Sequence, residues 1–279
     1  MLADLHGGRL GILAGSGDLP KEIIAHCKAE KIDHFAIYFK GQSEDERLDD
    51  VPSKVLRLGQ TQKTVDTLKS ENCTHIVFAG AIKRPSIFDL RPDLRTTKFF
   101  ARLGLGAVGD DRMLRAVRSE LESDGFLILG AHDILQNVLT PRGVLTDVKP
   151  DARDMADIKT GWRVLDTLGK LDIGQSCIIQ QGLVLGVEAV EGTDALIERS
   201  GDYKRKGGGG VLVKRSKPNQ DMSLDVPTVG EITVDRLKEA GLRGMALEAD
   251  GTQILYQSEV ISHANAAGIF IIGINADEI

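Results

Sequence analysis

Short apolar runs alternating with helix-spaced segments leave the first half of this chain few folds to choose from. Leu10 to Ala14, His34 to Phe39, Lys54 to Leu58, His75 to Ala79 and Phe126 to Leu129 read as strands. Their apolar residues are largely consecutive rather than alternate, which suits a parallel sheet covered on both faces. Pro20 to Glu30, Gln62 to Glu71 and Asp111 to Ser123 carry helical spacing between them. Pro20 stands where a first helical turn tolerates proline, and Thr61 is placed to cap the second helix. Strand, helix and strand in this order predict a Rossmann-like domain.

The pattern lapses in TDVKPDARDMAD, Thr146 to Asp157, and the domain boundary is expected there, giving domains 1–148 and 149–279. The second domain also reads as α/β, with a mixed strand order. Its expected elements are a helix from about Ala152 to Leu171, a strand-rich run CIIQQGLVLGVEAV with Gly182 or Gly186 at a turn or bulge, and a helix near Thr193 to Arg205. A strand at Val211, a helix at Thr233 to Ala240, strands at Met245 to Glu248 and Gln253 to Tyr256, a helix at Ser258 to Ala267 and a strand at Ile269 to Ile274 follow. At 279 residues two domains are the natural expectation, and 31 glycines against 8 prolines fit many tight turns.

Charge and missing motifs narrow the function. A net charge of −6 argues against broad nucleic-acid binding, so an anionic ligand must be met by local basic clusters. Cys27, Cys73 and Cys177 are odd in number and widely spaced, which suggests neither a disulfide framework nor a zinc site and fits a reducing cytoplasm. MLADLHGGRL lacks the basic start and apolar core of a signal peptide, and no apolar run approaches the ~20 residues that span a bilayer. GxxxxGK[ST], HExxH and GxSxG are absent, and the histidines lack metal-ligand spacing.

Glycine, basic and acidic clusters supply the candidate sites. In LAGSGDLP, Gly15 and Gly17 admit close backbone approach, and the N–H groups from Gly15 through Ser16, Gly17, Asp18 and Leu19 favour an anion at the helix start. A tight turn packing helix on sheet accounts for the same residues. Pro20 replaces the third glycine of a dinucleotide fingerprint and no acidic residue ends the second strand, which disfavours a nicotinamide oxidoreductase. AGAIKRPS follows the fourth strand at the same sheet edge, where Gly80, Ala81, Lys83 and Arg84 are placed to meet phosphate. Asp110 and Asp111 open a helix, and capping explains them. In VEAVEGTDALIER, Thr193 is the expected N-cap with Asp194 in the first turn; Glu188, Glu191 and Asp194, three apart, are also a carboxylate set for Mg²⁺. In KRKGGGGVLVKRSKPNQDMSLDVPTVG, Lys214, Lys217 and the glycine amides could hold a diphosphate, while Asp221 and Asp225 hold Mg²⁺ or orient water. A solvated polar loop is the plainer account of that stretch.

LAGSGDLP, GAIKRPS, VEAVEGTDALI, GGGGVLVKRSKPNQDMSLDVPTVG and TQILYQSEVISHANAAGIFIIGI occur in that order over nearly the whole chain. Together they resemble the UDP-2,3-diacylglucosamine pyrophosphatases of lipid A biosynthesis, of the type unrelated to calcineurin-like metallophosphoesterases. The resemblance implies a Mg²⁺-dependent hydrolase that converts UDP-2,3-diacylglucosamine to UMP and 2,3-diacylglucosamine 1-phosphate, lipid X. It places an essential aspartate at Asp225. The resulting site assigns Asp225 and Asp221 to catalysis, and Asp194, Asp221 and Asp225 to the metal, their roles interchangeable. Substrate contacts are expected from Gly15 to Leu19, Gly80 to Arg84, Gly192, Thr193, Asp194, Lys214, Lys217, Gln220 and Thr228. Expected partners are the substrate and lipid X, without nucleic acid, in the cytoplasm, leaving room for a homodimer and for contact with the inner face of the inner membrane. A noncatalytic nucleotide-sugar binding or regulatory module is the alternative.

Overall fold

The structure, a computed structural model, describes residues 8–82, 90–103, 110–135, 137–218 and 220–279. The chain divides into two compact units: Met1–Gln136 with Asp221–Asp225, and Asn137–Gln220 with Val226–Ile279. The polar lapse at 146–157 lies inside the second unit.

In the first unit, β1 (Arg9–Ala14), β2 (His34–Phe39), β3 (Ser53–Leu56), β4 (Cys73–Ala79) and β5 (Leu127–Leu129) form a wholly parallel sheet in the order β3-β2-β1-β4-β5. This matches the first five strands of the doubly wound order 3-2-1-4-5-6 and crosses its switch point between β1 and β4. Every residue of β2 is buried, as its unbroken apolar run requires. The helices are α1 (Leu19–Ala29), α2 (Thr61–Ser70), α3 (Leu94–Leu103), α4 (Asp110–Ser123) and the single turn α5 (Ala131–Ile134). One correction concerns α2: Gln60 occupies the N-cap and Thr61 is the first helical residue. The Thr61 hydroxyl instead lies 2.7 Å from that of Thr96, so tertiary pairing displaces the expected cap.

The second unit holds a mixed sheet in the order β6-β13-β11-β9-β7-β8, comprising β6 (Gly143–Val144), β7 (Ser176–Gln180), β8 (Leu183–Val187), β9 (Val211–Lys214), β11 (Gly244–Glu248) and β13 (Phe270–Ile274). β9, β11 and β13 run parallel, and β7 pairs antiparallel with β9. A two-stranded parallel ribbon, β10 (Thr228–Val229) with β12 (Gln253–Ile254), stands apart from it. Around them lie α6 (Ala152–Gly169), α7 (Thr193–Gly201), α8 (Glu231–Glu239) and α9 (Gln257–Ala267). Successive residues of β9 serve opposite faces: Val211 and Val213 join Ile158, Trp162 and Leu165 of α6, while Leu212 joins Leu196 of α7 and Val234 and Leu237 of α8. Burying each such side chain contributes about 1.5–3 kcal/mol. Among the described residues, no helix is long and apolar enough to cross a membrane.

Candidate functional site

The sharp turn from β1 into α1 in the first unit is stitched to the segment after β4. Ser16 N–H donates to Ala81 O at 2.8 Å, Ala81 N–H returns to Ser16 O at 2.9 Å, and Gly15 N–H donates to Ala79 O at 2.7 Å. A Cβ on Gly15 would stand 2.5 Å from Ala81 O, and one on Gly80 2.5 Å from Ser16 O, so close backbone approach alone requires both glycines. Gly17, at φ +98°, donates its N–H to Glu46 Oε2 at 2.9 Å. An internal carboxylate thus meets the helix start where an anionic ligand was expected. Asp18 holds Lys21 at 2.9 Å and Leu19 opens α1. Lys83 and Arg84 lie outside the described residues.

The segment Asp221–Asp225 belongs to this same unit. Arg118 of α4 donates Nη1–H to Asp221 Oδ2 at 2.5 Å and to Ser223 Oγ at 2.7 Å. The other Asp221 oxygen accepts from Ser223 N–H at 3.0 Å and Ser223 Oγ–H at 2.6 Å. Burial raises the Asp221 carboxyl, but the Ser223 donors and Arg118 outweigh it and leave the group below its ordinary value. Leu224 and Asp225 N–H both donate to Asp221 O, closing a tight turn with Asp225 exposed on it.

The second unit gathers Lys214, Thr193 and Gly192. Lys214 ends β9 only 5% exposed, and its Nζ donates to Thr193 Oγ1 at 2.6 Å and to Ser176 Oγ at 3.4 Å. Thr193 Oγ1–H donates in turn to Glu188 Oε1 at 3.0 Å, and buried Glu188 also accepts from Gln175 N–H at 3.1 Å. A buried ammonium bound chiefly by hydroxyls at a helix start is a setting for phosphate oxygens. Gly192, at φ +84°, is the N-cap of α7, and Thr193 is its first residue. The expected Thr193 cap is corrected: its hydroxyl is drawn to Lys214 and Glu188.

Other expected residues are engaged elsewhere. Asp194 accepts from Thr233 Oγ1–H at 3.2 Å, Glu191 pairs with Arg199 at 2.6 Å, and Lys217 pairs with Asp172 at 2.6 Å. Gln220 Oε1 accepts from Lys217 N–H at 2.8 Å, and Thr228 Oγ1–H donates to Val226 O at 2.8 Å. The glycine run stands at the other end of β9 from Lys214. Gly207 to Gly210 all have positive φ and precede β9, whereas Lys214 closes that four-residue strand. At ~3.3 Å per residue, roughly 13 Å of strand separates Gly210 from Lys214.

The implied Mg²⁺ can be tested against these donors. Among the described residues, no group of three or more His, Cys, Asp or Glu is arranged to hold a metal ion. Mg²⁺ also binds through one or two carboxylates completed by substrate phosphates, and the exposed Asp225 suits that mode. Asp221, with both oxygens engaged, suits holding the turn. Sequence reasoning missed Arg118 and Glu46, whose partners lie 103 and 29 residues away.

Comparison with known proteins matches the LpxI N-terminal domain over residues 9–138 and the LpxI C-terminal domain over 141–272. The UDP-2,3-diacylglucosamine pyrophosphatase LpxI of Caulobacter vibrioides is 38% identical over 277 residues, spanning 97% of this chain and 99% of that protein. A solved structure, CobK precorrin-6A reductase, aligns over 96% of this chain and 87% of its own at 12% identity, with a TM-score of 0.35.

Proposed function

The chain belongs to the LpxI family, and from that premise we propose that it hydrolyses the diphosphate bond of UDP-2,3-diacylglucosamine to UMP and 2,3-diacylglucosamine 1-phosphate, within lipid A biosynthesis. The observation that carries this reading is the identity to a UDP-2,3-diacylglucosamine pyrophosphatase along almost the entire length of both chains. The reaction joins a water oxygen to phosphorus and breaks the bridging P–O bond, whose electron pair leaves with the departing phosphate. Catalysis then needs charge neutralisation on the phosphates and a means of taking the water's proton.

Lys214 supplies buried positive charge beside the first residue of α7, and Thr193 orients its ammonium. Arg118 and Ser223 hold Asp221 so that the turn presents Asp225. Asp225 would be the protein ligand to Mg²⁺, with phosphate oxygens completing the ion's shell; the metal would supply charge stabilisation. An acylated substrate favours reaction at the cytoplasmic membrane face, with lipid X released there.

The test is UMP release from UDP-2,3-diacylglucosamine with and without Mg²⁺, for the unaltered protein and Asp225→Ala. Turnover by the unaltered protein only, and only with Mg²⁺, is expected. Binding without UMP release by either protein would replace the hydrolase with a binding module.

A further inference from the structure

Directly after β5 the chain reads Gly130, Ala131, His132, Asp133, at the carboxyl edge of the parallel sheet where doubly wound folds bind their ligands. Gly130 N–H donates to Asp133 Oδ2 at 2.8 Å. The other Asp133 oxygen lies 3.9 Å from His132 Nε2. A Cβ on Gly130 would stand 2.4 Å from His132 Cε1, 2.7 Å from its Nδ1 and 3.2 Å from Met222 O. The imidazole therefore lies against Gly130 and shares that space with the carbonyl of the turn presenting Asp225. Its Nδ1 is buried without a hydrogen-bond partner, while the side chain as a whole remains 28% exposed.

Other described histidines have different surroundings. His34 Nδ1 lies 2.8 Å from Ile32 O, His263 pairs with Asp235 at 2.6 Å, His75 lies 2.9 Å from the Thr74 hydroxyl, and His26 is in the last turn of α1. None of these contacts involves the 221–225 turn.

We infer that His132 is a catalytic base of the hydrolysis, taking the attacking water's proton on Nε2; this rests on the proposed function. Nδ1 is shut away from solvent, so Nε2 is the ring nitrogen that remains to accept the proton. As the water oxygen bonds to phosphorus and the bridging P–O bond breaks, its proton passes to Nε2. Asp133 steadies the imidazolium, and the proton returns to solvent after the products leave. The remaining charged groups on elements contacting α5 are Lys21, Glu22, His26 and Lys28 of α1 and His75 of β4, with Asp221 and Asp225 in the neighbouring turn.

Steady-state UMP release tests the role with the unaltered protein, His132→Gln and Gly130→Ala. Loss of a general base typically lowers the rate by roughly 10²–10⁴-fold, so His132→Gln should lose that much kcat with KM nearly unchanged. Gly130→Ala keeps the imidazole but displaces it, and should lower kcat in the same direction with KM nearly unchanged. An active unaltered protein with His132→Gln within threefold of its kcat overturns the inference alone. Absence of UMP release from the unaltered protein overturns the pyrophosphatase reading instead. Should His132→Gln fail to fold by circular dichroism, Gly130→Ala decides: unchanged kcat in a folded protein refutes the role.

Discussion

Replacing Lys214 by methionine keeps the buried stem and removes the ammonium, which separates its structural and ligand-binding parts. The loss leaves Glu188, 9% exposed, with the Thr193 hydroxyl and Gln175 N–H as donors but without the cation across that hydroxyl. Lys214 reaches Glu188 only through the Thr193 hydroxyl, so what is lost is a charge-assisted hydrogen bond in a buried site, about 3 kcal/mol at the upper end of the range for such bonds. For a unit of this size that is a fall in Tm of roughly 6–12 °C, measurable by differential scanning fluorimetry. Lys214→Met with Glu188→Gln removes both charges and should recover most of the stability. UMP affinity should behave differently. A charge-assisted hydrogen bond contributes about 1.5–3 kcal/mol, so calorimetric Kd should weaken roughly 10- to 150-fold in the single variant and stay weak in the double. If the double variant regains the affinity, or the single one never loses it, Lys214 serves only to balance Glu188 and its phosphate role is refuted.

Gly80→Ala forces a Cβ to 2.5 Å from Ser16 O at φ +83°, and should cost about 2 kcal/mol or more in urea denaturation. Gly17→Ala, with nothing within 4 Å of its Cβ, should cost only about 1–2 kcal/mol for the left-handed backbone. Asp221 titrates below its ordinary value when folded, so in that interval the unfolded chain binds more protons and stability rises with pH. Its contribution is complete above the unfolded carboxylate value and is lost as pH falls through the folded one; Asp221→Asn should flatten acid denaturation in that range. Burial pushes the Cys27 and Cys73 thiols up to about 11 and Cys177 up to about 12, so all three should resist Ellman's reagent at pH 8 until the chain is unfolded in guanidinium.

Strands were legible where burial on both faces leaves unbroken apolar runs, as in His34–Phe39 and Val211–Lys214. Helix α3, LRTTKFFARL, is absent from the expected set although Phe99, Phe100 and Leu103 stand at helical spacing, because its buried residue is the polar Thr96. The strands of β6 and β10 are two residues each, too short to show a period. Glycine run and basic run looked like one phosphate cradle because they adjoin in sequence, but an intervening strand sends them to opposite ends. Carboxylate roles were the least readable. Asp221 and Asp225 are four apart and chemically identical, and the partner that fixes Asp221 is Arg118, 103 residues earlier in the chain.

The pentapeptide Asp221–Asp225 makes the first unit discontinuous in the gene. A fragment ending at Gln136 would contain the whole parallel sheet yet lack five of its own residues, among them the anchor for Arg118. Recombination that exchanges the amino-terminal half between relatives would pair an α4 from one parent with a turn from the other. Positions 118, 221 and 223 are therefore expected to be inherited as a set, and working chimaeras to carry a second, very short insert from the same parent.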